Sequence, residues 1–118
     1  SSDTKRRKKI MKEPLNTVAE TVATANDKFF ELHKNIDTLV GIMDKALRSQ
    51  GIPADAVTID CAAADKKVVF LLHDEQPNSV EVAFGNKEGD MSATSKHPLN
   101  ELTVEKVIEL MQQHLITH

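Results

Sequence analysis

Leu15, Val18, Val22, Ala25, Phe29, Leu32, Ile36, Leu39, Met43 and Ala46 follow one another at alternating steps of three and four residues. This is the spacing of the a and d positions of a heptad repeat. A stripe that narrow runs along one edge of a helix and hides itself only against another helix. The spacing predicts one long helix over 17–50, about 50 Å at ~1.5 Å per residue, more than a sheet made from the rest of the chain covers. Part of the seam is therefore expected to meet a second copy of the chain, since closed two-fold dimers are the commonest homo-oligomers. Val18, Val22, Ala25, Phe29, Leu32, Ile36, Leu39 and Met43 are its expected interface.

Local signals mark both ends of this helix. Thr17-Val-Ala-Glu20 has the form of a capping box, and a start with Pro14 at the first helical position is the competing register. Lys45 and Arg48 put positive charge over the last turns, and Gly51, Ile52 and Pro53 then read as a Schellman stop. Asn26-Asp27 could cap a second helix, but the apolar register passes through it without slipping, so a single helix is expected. Gly41 falls at an outward position of the heptad and leaves the seam intact.

Beyond Pro53 the period changes. Val57, Ile59 and Cys61 alternate with Thr58 and Asp60, the mark of a half-buried strand. Ala64-Asp65-Lys66 reads as a turn, and Val68 to Leu72 is apolar on both faces, as in the middle of a sheet with both faces covered. After a turn at 75–79, Val80, Val82 and Phe84 share one face of a third strand. Residues 85–96 are polar and Gly-bearing and read as a loop, with a fourth strand if Met91 to Thr94 pairs back. Thr103 is the expected N-cap of a last helix, with Leu102 and Val107 as a hydrophobic staple. Val104, Val107, Ile108, Met111 and Leu115 form the face that should lie on the sheet.

Charge divides the chain. Residues 1–12 carry Lys5, Arg6, Arg7, Lys8, Lys9 and Lys12 against Asp3, a net of +5, whereas the remainder is −8. The expected organisation is a flexible basic arm over 1–12 and a single α+β domain over 13–118. Lys5, Arg6, Arg7, Lys8 and Lys9 are candidate phosphate-binding residues, because cations near a polyanion release its counterions. No run of 18 or more apolar residues and no apolar segment after the basic start appears, so a cytoplasmic address without a membrane span is expected.

Chemistry-bearing residues are sparse. Cys61, the sole cysteine, excludes an internal disulfide. A hairpin turning at Asp65-Lys66 would set Cys61 opposite Phe70 and leave it roughly 10 Å from His73, too far for a nucleophile–base pair. Of His73, Asp74 and Glu75, alternate strand positions allow only His73 and Glu75 to converge on a metal. His114 and His118 are an i, i+4 pair at the end of the chain. Gly85 to Gly89 has neither the spacing of a P-loop nor a dinucleotide fingerprint. No catalytic, cofactor or metal site is expected.

The expectation is thus an α+β fold: a long N-terminal helix, an antiparallel meander of three strands (four if 91–94 joins) and a C-terminal helix. That order is similar to small homodimeric bacterial proteins that bind nucleic acid or act as secretion chaperones, an analogy of fold alone. The expected function is a non-enzymatic homodimeric adaptor that recruits a protein partner and pairs through the 17–50 helix. The alternative is binding of nucleic-acid phosphates by the basic arm.

Overall fold

The computed structural model describes residues 13–116. It is an α+β fold in which two helices cover one face of a five-stranded antiparallel sheet. In chain order the elements are α1 (Leu15–Leu32), β1 (Leu39–Met43), α2 (Ala46–Ser49), β2 (Ala54–Cys61), β3 (Lys66–His73), β4 (Ser79–Gly85), β5 (Met91–Pro98) and α3 (Val104–Leu115). The strands lie side by side in sequence order, so β3 is central and β1 and β5 are the edges.

The long helix is the main correction. It stops at Leu32, and Leu39–Met43 is a strand paired with β2. The pattern misled because Ile36, Leu39, Met43 and Ala46 happen to hold a helical spacing, while the residues between them argue for a strand. Val40 and Ile42 are β-branched and stiff at χ1, and they flank a glycine that weakens a helix. As a strand, Val40 pairs with Ile59 and Ile42 with Val57, so their apolar surface joins the sheet of its own chain. The sheet gains β1 at one edge, and the segment at 91–94 forms β5 at the other, longer than expected.

The seam expected to face a second copy is divided by this break. Val18, Val22, Ala25 and Phe29 are sealed in the chain's own core with α3 and the inner face of β2, β3 and β4. Ile36 and Met43 are half-buried, and Leu32 and Leu39 are 61% and 75% exposed. No continuous coiled-coil edge remains among the described residues.

Cross-strand partners share a face, which orders the core. Val57, Phe70 and Val82 lie in one row, and Ile59, Val68 and Phe84 in the next, all beneath the helices. The Val68 to Leu72 run, expected to be covered on both faces, is covered on one: Val68, Phe70 and Leu72 are buried and Val69 and Leu71 half-buried. The opposite face carries no helix. Its floor is small (Gly41, Ala54, Ala56, Thr58, Ala83), with Met43, Val69 and Leu71 half-buried around it.

The ends of the elements show which local signals operate. Thr17 does not cap α1; its amide and hydroxyl both donate to Glu13 Oε1, at 3.2 and 2.6 Å. The carboxylate thus sits at the positive end of the helix, close to the competing start at Pro14. The Schellman stop forms, but on the four-residue α2: Ile52 N donates to Leu47 O and Gly51 N to Arg48 O, with Gly51 at φ 87°. Thr103 caps α3 as expected, its hydroxyl accepting from Lys106 N at 3.1 Å. Leu102 and Val107 are both in the core.

Candidate functional site

β1 is the feature of this surface that ordinary folding does not account for. Its sequence, Leu-Val-Gly-Ile-Met, has no charge and no proline. On an edge strand alternate residues turn their amide and carbonyl groups outward, where they template pairing with another strand. Leu39 and Ile42 on this edge are 75% and 43% exposed. Val40 and Ile42 lean toward the helices, and Leu39, Gly41 and Met43 toward the open face.

The contrast with the other edge is informative. β5 reads Met-Ser-Ala-Thr-Ser-Lys-His-Pro, with Lys96 and Pro98 on it and a bulge in its pairing at Phe84/Gly85. Lysine, proline and bulges are devices by which sheets prevent edge-to-edge association. β5 has all three, and β1 has none.

Several contacts hold β1 in place at its two ends. Before it, the Thr38 hydroxyl donates to the Asn26 side chain on α1. Asn26, Asp27, Phe30, Glu31, Asp37 and Thr38 line a shallow hollow there. After it, Arg48 on α2 clamps the return to β2. Its Nε and Nη2 donate to Asp55 at 2.9 and 3.0 Å, and its Nη1 and Nη2 donate to Asp74 at 2.8 Å. These bonds, Asp74 first and Asp55 second, push the guanidinium pKa far above its ordinary value. The Asp55 side chain is only 4% exposed, so the clamp ties a surface turn to the interior. At mid-strand, Gly41 lies so close to β2 that a Cβ there would stand 2.9 Å from Thr58 Oγ1.

Cys61 and His73 do not converge, whereas Ser95 Oγ and His97 Nε2 on β5 lie 2.9 Å apart. The β2–β3 hairpin closes through a short 3-10 turn at Ala62–Ala64 and Asp65 at φ 55°, which puts Cys61 opposite Lys66 rather than Phe70. His73 then lies opposite Ala54, seven strand positions or about 23 Å from Cys61, and on the other face. Cys61 is buried on the helix side. His73 Nε2 is 2.9 Å from Glu81 Oε1, a half-exposed pair across β3 and β4 on the open face. Glu75 lies in the turn beyond, and no group of three or more metal-ligating side chains occurs among the described residues. His118 and the candidate phosphate-binding residues Lys5, Arg6, Arg7, Lys8 and Lys9 lie outside the described residues. No described helix is long and apolar enough to cross a membrane.

Sequence reasoning named Leu39 and Met43 but placed them on a helix. It missed the edge and the Arg48–Asp55–Asp74 clamp. A strand signal was present in Val40-Gly41-Ile42, whereas the clamp joins residues up to 26 positions apart and leaves no local trace. No family model, curated protein or solved structure matches the chain.

Proposed function

We propose that the chain is a non-enzymatic interaction module that works by strand addition along β1. The observation that carries this reading is the bare edge itself, uncharged and partly exposed in a protein whose other edge is guarded. Such an edge offers main-chain hydrogen bonds for affinity and flanking side chains for specificity. Support for a non-catalytic role comes from the wide separation of Cys61, the sole cysteine, from His73. The test is a fluorescence-anisotropy titration with a labelled peptide of residues 37–45, itself an apolar strand between polar ends. Saturable binding by the full chain, lost in Ile42→Lys while the circular dichroism spectrum is unchanged, is the expected result. No binding by the monomeric chain, or equal binding by Ile42→Lys, refutes it.

The division of charge carries a second reading, in which Lys5, Arg6, Arg7, Lys8 and Lys9 hold nucleic-acid phosphates while the −8 remainder stays clear. It predicts duplex DNA binding at low salt that weakens steeply as salt rises and vanishes on deleting residues 1–12. Binding that survives the deletion rules it out.

A further inference from the structure

The strand that β1 is best suited to receive is its own copy. We infer that two chains pair β1 with β1 antiparallel about a two-fold axis through Gly41, joining their sheets into one continuous sheet of ten strands. This rests on the reading of β1 as an open edge and goes beyond it by naming the occupant and the register.

Symmetry and side-chain alternation restrict the choice. A two-fold axis normal to the sheet keeps each residue on its own face, so the axis must pass through a residue rather than between two. With the axis at Gly41, Leu39 lies opposite Met43 on the open face and Val40 opposite Ile42 on the helix face. Every apolar residue of the strand then meets an apolar residue. The glycine at the axis presents no side chain to its twin.

Charge selects the same register. β1 ends at Met43 and Lys45 lies in the bend that opens α2, so the two charges flank the strand. The axis at Gly41 brings exposed Asp37, before one strand, to the end where exposed Lys45 follows the other, twice by symmetry. Moving the axis to Val40 leaves Met43 at the end of the strand opposite Asp37. Moving it to Ile42 leaves Leu39 and Val40 facing the charged bend at Asp44 and Lys45. Of these, only the Gly41 axis matches apolar with apolar along the whole strand, and it brings a carboxylate and an ammonium to each end of the joint. Exposed Phe30, beside Asp37 and Thr38 in the hollow at the strand's entry, extends the apolar border on the helix side.

The pairing of Asp37 with Lys45 makes a test that a general stickiness of β1 cannot pass. Asp37→Lys and Lys45→Asp each turn two attractions into two like-charge contacts, and each variant alone should dimerise about tenfold or more weakly. Mixed together, the two variants restore both ion pairs, and the double variant Asp37→Lys/Lys45→Asp restores them in a homodimer. Sedimentation equilibrium at micromolar concentration and low salt reads all of these, with circular dichroism verifying that each variant folds. Expected are a wild-type dimer, weakened single variants, and recovery in the mixture and in the double variant. A wild-type dimer indifferent to these charges overturns the register and the inference. A wild-type monomer that still binds the 37–45 peptide at β1 overturns self-pairing and leaves the strand-addition reading standing. A monomer that binds no peptide, with β1 amides already protected from hydrogen exchange, overturns both.

Discussion

Truncating the apolar stripe on either side of Leu32 should give two different answers. Phe29 is fully buried against the sheet and α3, so Phe29→Ala removes a ring from a packed core and should cost about 3–5 kcal/mol. That is a large share of the ~5–15 kcal/mol that holds a domain together. Leu39 is 75% exposed, so only about a quarter of the ~1.5–3 kcal/mol available from burying a leucine is in play, or about 0.5 kcal/mol. Equilibrium urea unfolding followed at 222 nm reads both, at protein concentrations low enough that the midpoint no longer depends on concentration. Val22→Ala, which strips two methyl groups worth about 1.6 kcal/mol from an equally buried site, serves if Phe29→Ala fails to fold. Had the stripe been one helical seam, its a and d positions would contribute alike. A loss above about 2 kcal/mol for Leu39→Ala, or a loss for Val22→Ala no greater than that for Leu39→Ala, would refute the division of the stripe into core and edge.

Other outcomes follow from single contacts. The hydroxyl and amide of Thr17 hold the Glu13 carboxyl below its ordinary pKa. The stability it contributes is thus present above the ordinary glutamate range and lost as pH falls through the depressed value. Glu13→Gln should be less stable than wild type at neutral pH, and the two should converge under acid titration as pH falls through the depressed value. Gly41→Ala should destabilise by about 1–3 kcal/mol through its contact with Thr58 Oγ1, and far less in a Thr58→Ala background, a coupling that a double-mutant cycle measures. Arg48→Met should lower the melting temperature more than Asp74→Asn does. The first removes two charge-assisted bonds from the buried Asp55 carboxylate, whereas the second disturbs an exposed one.

Where two independent physical signals coincided, sequence and structure agree. Thr103 followed by an amphipathic run gave α3 its cap and its buried face together, and the alternation after Val57 and before Phe84 placed strands on either side of one that is apolar from Val68 to Leu72. The Gly51 stop was legible because only a residue at ease with positive φ suits it, although the helix it ends is four residues long rather than 34. The start of α1 was misassigned because Thr17-Val-Ala-Glu20 has a capping box's letters, while a carboxylate at Glu13 reached the same amide first. In the β2–β3 hairpin, a compact 3-10 turn shifted the partner of Cys61 from Phe70 to Lys66. A residue count alone does not fix that choice, because turn geometry sets the register.

The failure at Leu32 and the candidate site have the same cause. A five-residue apolar run is too short for its period to distinguish a turn of helix from a strand; length and flanking residues must decide, and here the flanks resembled heptad continuation. What separates the two outcomes is tertiary. As a strand, β1 gives its inner backbone groups to β2 and puts Val40 and Ile42 beside Ile59 and Val57, which a lone helix beyond Leu32 could not do. The same placement leaves the outer backbone groups of β1 facing outward, because strand order and not strand sequence determines which strand lies at an edge. A strand with this composition in the centre of the sheet would call for no explanation. At the edge, beside Asp37 and Lys45 at matching distances from Gly41, it is a surface whose simplest complement is itself.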